Sequence, residues 1–160
     1  YDDKLQFEFL ILEGAQAGLS WETVLKKREN YRKAFSNFDP IKISKYTKKD
    51  VERLIKNEGI IRNRLKIEAV ITNAKAFLEV KRKFGTFSKY IWNFVGGNPI
   101  TNKRKSIKDI PATSKESDEL SKALKKRGFK FVGSTIIYAH MQATGMVNDH
   151  EVDCFRYKEV

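Results

Sequence analysis

Residues 115–144 read KESDELSKALKKRGFKFVGSTIIYAHMQAT, and this stretch decides the fold. Ser114, just before it, has the short polar side chain that caps a helix N-terminus. Leu120, Ala123 and Leu124 recur at helical spacing, and Gly128 supplies a helix stop. Phe129 to Gly133 leaves only a tight link. Ser134 to Thr144 is then almost wholly apolar, the composition of a helix in the middle of a core. The pattern is helix, glycine-bounded hairpin, helix. The first N–H groups of the second helix lack intrahelical partners, which makes its N-terminus an anion site. Lys125, Lys126, Arg127 and Lys130 surround it with positive charge. Such a hairpin suits a nucleic-acid backbone held without reading its sequence. An ordinary αα-hairpin with a basic loop fits the same residues.

Upstream, the apolar positions keep helical periods. Asp3 to Leu12 reads as a helix with Leu5, Phe9 and Leu12 on one face. Gly14 to Leu19 reads as a small-residue loop, and Ser20 as the cap of a helix carrying Val24, Leu25, Tyr31 and Phe35. Lys26, Lys27, Arg28, Arg32 and Lys33 crowd the rest of that helix. Asp39-Pro40 marks a turn. Thr47 to Asp50 resembles a capping box, opening a helix to about Lys56 that Gly59 ends. Ile67, Val70, Ile71, Ala74, Phe77 and Leu78 predict a long helix over 63–83, stopped at Gly85. Phe87 to Phe94 is a short aromatic helix closed by Gly96-Gly97-Asn98-Pro99, and a basic loop with Lys103-Arg104-Lys105 follows. Without strand alternation or internal repeats, the class is all-α, a single multi-helix domain over 1–160.

Composition agrees. The chain has 160 residues, 41% of them hydrophobic and 32% charged, which suits one folded domain. No apolar run approaches membrane-spanning length, no signal-peptide pattern is present, and Cys154 has no partner for an internal disulfide. These features point to a cytoplasmic compartment and no membrane partner. The net charge of +12 favours a polyanionic partner, although a solvated lysine-rich surface gives the same sum.

Four strings carry a resemblance. LEGAQAGLSWETVLKKRENYR (12–32), GIIRNRLKIEAVITNA (59–74), LSKALKKRGFKFVGSTI (120–136) and NDHEVDC (148–154) closely resemble the 3-methyladenine DNA glycosylase I family of the helix-hairpin-helix superfamily. That family begins with a Cys, then a Tyr-His-Asp stretch and Glu-Trp-Gly, before the helix that opens this chain. The resemblance therefore implies an N-terminal stretch absent from this sequence. It also implies the activity: excision of 3-methyladenine from double-stranded DNA, with no catalytic cofactor, by a nucleoid-associated bacterial monomer. A non-catalytic helix-hairpin-helix DNA-binding module is the alternative.

The resemblance assigns roles to residues whose chemistry is suggestive by itself. Glu13 sits at the end of an apolar helix, where a carboxylate is costly to bury without a partner. It bonds helix-end amides or waits for a cationic ligand, and the family implies the second. N3-methyladenine in DNA is cationic and adenine is not, so a buried carboxylate favours the lesion. Trp21 is a core aromatic by composition and a pocket wall by resemblance, where stacking on a base contributes ~1–3 kcal/mol. Gln16 matches the superfamily's wedge position, with Gly18 allowing close approach and Leu19 adding apolar contact in the opened duplex. Gly128, Lys130, Gly133, Ser134 and Thr135 are expected to hold DNA phosphates. Bifunctional relatives carry a lysine where Val132 stands, so a simple hydrolase is expected. His140 reads as a satisfied core histidine. His150 and Cys154 have the H-x3-C spacing of two zinc ligands. The family implies a structural zinc completed by the upstream Cys and His, tying down a tail that has little apolar sequence after Gly145. This chain by itself is expected to hold zinc poorly.

Overall fold

Asp2 starts the first helix by accepting the amides of Lys4 and Leu5. Helix α1 then runs Asp3–Gln16. The computed structural model describes residues 2–159. Helix α1 is buried almost all round: Gln6 to Glu8 and Leu10 to Ala15 are inside. Of the expected face of Leu5, Phe9 and Leu12, only Leu12 is fully buried, and Leu5 is 43% exposed. Phe7, Leu10, Ile11 and Gly14 form the inward stripe instead, a spacing of i, i+3, i+4 and i+7. The helix also continues through Gly14-Ala15-Gln16, where the composition points to a loop. The reason is packing: a Cβ on Gly14 would lie 3.3 Å from the Phe131 Cβ. Its missing side chain serves a close approach between elements and not a turn.

Ser20 caps α2 (Trp21–Lys26), its hydroxyl accepting the Thr23 amide at 3.2 Å. The single helix expected here breaks at Lys27, and α3 follows (Arg28–Ala34). Leu25 is exposed, while Val24, Tyr31 and Phe35 enter the core. Beyond Asp39-Pro40 lies not only a turn but a short helix, α4 (Pro40–Ser44), with Asp39 as N-cap and proline in its first turn. The capping box of Thr47 and Asp50 opens α5 (Lys48–Ile55) as expected. Gly59 does not end it. A Cβ at Gly59 would lie 3.1 Å from Asn30, so this glycine too answers to crowding.

The long helix α6 (Arg64–Phe84) is capped by Asn63 and stopped by Gly85 at φ +88°. Next comes α7 (Phe87–Trp92), whose first amides, Phe87 and Ser88, are held by the Asp3 carboxylate. The hairpin helices are α8 (Lys115–Lys126) and α9 (Ser134–Ala143), with Gly128 between them at φ +91°. Helix α9 packs on both α1 and α8, placing it centrally. The described residues are thus predominantly helical, an all-α fold.

One pairing escaped the sequence pattern: β1 (Ile100–Thr101) lies parallel to β2 (Val147–Asn148), with Ile100 opposite Val147. Two residues are too few for alternation to show. The pairing ties the basic loop to the C-terminal tail. The start of the tail is anchored by this pairing and by burial: Met146, Val147, Asn148 and Asp149 are all buried. Beyond Asp149 the tail has little apolar anchorage, as expected: Val152 is 38% and Phe155 80% exposed.

Candidate active site and DNA-binding face

The last turn of α1 and the first turn of α2 converge on an open cleft of about 270 Å³, lined by Glu13, Gln16, Trp21, Ala139, Gln142 and Ala143. Glu13 is 4% exposed. Among the described residues its carboxylate has no hydrogen-bond or ion-pair partner, so it does not bond helix-end amides. Burial pushes it up to about 7, because nothing nearby compensates a charge taken out of water. Trp21 is half-buried on the cleft wall.

Between Glu13 and Trp21 the chain makes a tight exposed turn. Gly18 takes φ +78°, a conformation that glycine adopts without penalty. The Gln16 side chain folds back, its Nε2 donating to the Leu19 carbonyl at 2.8 Å, while the Leu19 amide donates to the Gln16 carbonyl at 2.7 Å. Gln16 therefore braces the turn in this state, and Leu19, 38% exposed, is its outermost apolar side chain.

The hairpin link is fixed by polar contacts that sequence did not reveal. Asn73 of α6, 4% exposed, accepts the Lys130 amide at 2.7 Å and donates to the Lys130 carbonyl at 3.0 Å. Ser121 donates to the Val132 carbonyl at 2.6 Å. Phe131 sits in the left-handed region at φ +54°, which costs a non-glycine residue energy. Gly133, in contrast, has an ordinary φ of −59° and open space where a Cβ would stand. It is not needed for a turn; its bareness keeps the start of α9 accessible. The first intrahelical bond there runs from the Ile137 amide to the Gly133 carbonyl, so the amides of Ser134, Thr135 and Ile136 precede the ladder. The Ser134 hydroxyl is bonded to Asp118 and lies 2.8 Å from that of Ser117, which leaves the Ser134 amide rather than its hydroxyl to meet an anion. Thr135 and Lys130 are exposed. Arg127 is not part of the basic surround. It stacks on Phe84 and Tyr90, 4.7 and 4.9 Å from the ring centroids, and its Nε donates to the Tyr90 hydroxyl.

The C-terminal tail carries two further clusters. Asp149 accepts from Tyr138, Asn102, Arg104 and Gln142. Burial alone raises its pKa, but these four hydrogen bonds outweigh burial and hold it below its usual range. Gln142 thereby links this cluster to the Glu13 cleft. Next along, the Cys154 Sγ and the His150 Nδ1 approach to 3.8 Å. No third His, Cys, Asp or Glu completes a metal cluster among the described residues. His140 is buried, held near a pKa of about 4 by desolvation. Its Nε2 pairs with Gln6 at 2.9 Å while Nδ1 has no partner among the described residues, so this core histidine is only half satisfied.

A family model described as methyladenine glycosylase matches residues 1–157. The chain belongs to the methyladenine glycosylase family. Within the family, it is 53% identical to DNA-3-methyladenine glycosylase 1 of Escherichia coli over 98% of this chain and 83% of that one. The Haemophilus influenzae DNA-3-methyladenine glycosylase is 51% identical over 96% and 83%. A solved 3-methyladenine DNA glycosylase I variant in complex with 3-methyladenine superposes with a TM-score of 0.95 at 37% identity, over 97% of this chain and 83% of that one. Of the groups described above, the sequence alone marked the carboxylate, the tryptophan and the hairpin. It did not expose Asn73, Gln142 or the Asp149 cluster, because an Asn, Gln or Asp in a helix or tail carries no spacing signal until the fold supplies its partners.

Proposed function

We propose that this chain hydrolyses the N-glycosidic bond of 3-methyladenine in alkylated DNA, releasing the base and leaving an abasic site. The carrying observation is Glu13: a buried carboxylate without a protein partner, walling a cleft beside Trp21 at the foot of an exposed turn. A relative bound to 3-methyladenine in the same fold supports the reading.

The geometry supports the following course. Double-stranded DNA is held by the amides at the start of α9, with Lys130 beside them and Gly128 and Gly133 leaving the approach free. The turn from Gln16 to Leu19, hinged at Gly18, fills the space left when the damaged nucleotide swings out. Trp21 stacks on the extruded base. A cationic base in the cleft restores to Glu13 the favourable electrostatics that burial removed, whereas neutral adenine does not. The methylated base is already a good leaving group, so binding, extrusion and charge stabilisation by Glu13 suffice, with water completing the cleavage. The protein acts as a monomer in this reading, one hairpin and one cleft per lesion. No helix among the described residues is long and apolar enough to cross a membrane.

His150 and Cys154 are proposed as two ligands of a structural zinc. The 3.8 Å between Nδ1 and Sγ suits neighbouring corners of a tetrahedral site, with bonds of about 2.0–2.3 Å. Two further ligands are needed, and the upstream Cys and His of the resembled family are the candidates. A site closed by four protein ligands contributes folding energy and no catalysis. In protein carrying that upstream segment, Cys154→Ser lowers zinc content and melting temperature with little effect on excision; full zinc content with unchanged melting rules the site out.

Release of 3-methyladenine from methylated duplex DNA tests the enzymatic reading. Glu13→Gln is expected to abolish release and keep most duplex affinity. Protein that binds methylated DNA normally yet frees no 3-methyladenine overturns it. A non-catalytic DNA-binding module has no use for an unpartnered carboxylate beside Trp21.

A further inference from the structure

We propose that α6 is the spacer that sets the distance between the base-opening turn and the phosphate-holding hairpin, with Lys66 and Asn73 as its positioning residues. The inference rests on the excision reading above and adds residues that reading does not use.

Lys66 reaches inward. Its Nζ donates to the Ala15 carbonyl at 2.9 Å and to the Ala17 carbonyl at 2.6 Å, the end of α1 and the start of the exposed turn. A cation on the last carbonyls of a helix is favourably placed, and here it also fixes where the turn leaves α1. Desolvation lowers the Lys66 pKa, in keeping with an amine drawn away from water towards these carbonyls. Asn73 lies seven residues on, two helical turns or about 10 Å along the axis. It grips both backbone polar groups of Lys130 in the hairpin link. Between them Ile67 and Val70 are buried in the core, so the stretch from Lys66 to Asn73 cannot shift without disturbing packing. A third contact closes the triangle: the Gly14 backbone of α1 lies against Phe131 of the hairpin link. Lys66, Asn73, Gly14 and Phe131 line one small shared interior gap.

The consequence for DNA is geometric. The duplex is held at one point and opened at another, and the flipped base reaches Glu13 only if those points match the spacing of the DNA backbone. A misplacement of about 1 Å at such a site costs roughly a hundredfold in rate. Lys66 and Asn73 touch neither the cleft around Glu13 nor the exposed amides of α9, so their loss should impair opening while leaving base recognition intact.

The test uses Lys66→Met and Asn73→Ala, with Asn73→Ser as the milder variant if Asn73→Ala does not fold. Three readouts are taken. Binding of free 3-methyladenine, followed by tryptophan fluorescence, should stay within about twofold of wild type. Single-turnover release from methylated duplex DNA at saturating protein should fall about tenfold or more. The fluorescence rise of 2-aminopurine placed beside an abasic-site analogue, reporting duplex opening on protein binding, should be reduced. Variants that excise and open DNA as wild type does overturn the proposal. Variants that lose free-base binding together with excision also overturn it, because the residues then only hold the fold. Wild-type protein that binds the free base but releases none from DNA instead refutes the excision reading, a distinguishable failure.

Discussion

The Glu13→Gln substitution keeps the side chain's shape and removes its charge. Burial moves the Glu13 carboxyl from its ordinary value of 4.5 up to about 7. Each tenfold change in acidity corresponds to about 1.4 kcal/mol, so ionising this group in the folded protein costs about 3 kcal/mol more than in the unfolded chain. The sign follows from proton counting. Between pH 4.5 and about 7 the folded carboxyl keeps a proton that the unfolded one has lost. Stability is therefore fully present below the lower value and declines as pH rises through the window. Glutamine never ionises and does not suffer the decline. The variant should match wild type near pH 4.5 and exceed it by about 3 kcal/mol above neutrality, roughly 6–12 °C in melting temperature for a domain of this size. Release of 3-methyladenine should fall by about 10²–10³ or more, the scale of removing a preorganised charge. Wild-type excision should also weaken as pH drops below 7, because the cation must displace a proton from Glu13. Calorimetric melting of both proteins at pH 4.5, 6 and 7.5, with excision assays alongside, checks the argument. A stability gap that is absent at pH 7.5, or does not change with pH, would falsify the account of Glu13 as a carboxylate held at a cost for function.

The hairpin and the core give further expectations. Lys130→Glu should weaken binding to damaged and undamaged duplexes alike and reduce the slope of log K against log salt by about 0.9 for each phosphate no longer neutralised, as read by anisotropy titrations. Gly133→Val, at a position with ordinary φ and open space, should melt close to wild type yet bind duplex about tenfold or more weakly, a loss of at least ~1.4 kcal/mol, because the new side chain covers the first amides of α9. Glu8→Ala should cost about 2 kcal/mol by denaturant melting, below the figure for a fully buried pair, since Arg28 and Arg32 remain 29% and 32% exposed; excision by the folded fraction should not change.

Elements whose periodicity and caps agree are legible from sequence alone. Helix α6 shows Asn63, a strict apolar spacing and Gly85, and the structure places its ends within a residue of the expected span. Helix α8 similarly has Ser114 and Gly128. Legibility fails where a glycine answers to a neighbour distant in sequence. By local pattern Gly14 loosens the chain, yet it lies inside α1 against Phe131; by the same pattern Gly59 stops a helix, yet it packs on Asn30. Composition cannot separate a glycine needed for its φ from one needed for its missing Cβ. The site divides in the same way. Glu13 stands out because an acid at the end of an apolar helix violates local pattern, and violations tend to mark function. Asn73 violates nothing within α6, and only the fold brings Lys130 to it.

The net charge of +12 does not say which cations face DNA, and the structure shows several that are engaged elsewhere. Arg28 and Arg32 both bind the buried Glu8. Arg64 pairs with Glu52, Arg104 with Asp149, and Arg127 lies between Phe84 and Tyr90. Lys66 points into α1. A planar guanidinium is suited to bidentate and stacked contacts, and the Lys66 ammonium turns inward because two carbonyls receive it. The exposed cations from the second half of α8 to the hairpin link are Lys122, Lys125, Lys126 and Lys130. Affinity for duplex should accordingly depend on salt as for about three to five phosphate contacts, a log–log slope near −3 to −5, and not as for a dozen. Titrations between 50 and 200 mM salt, about a sixtyfold to thousandfold loss of affinity on this reasoning, decide the matter. A slope near −10 would mean that cations away from the hairpin also reach the DNA, and that charge rather than hairpin geometry governs the interface.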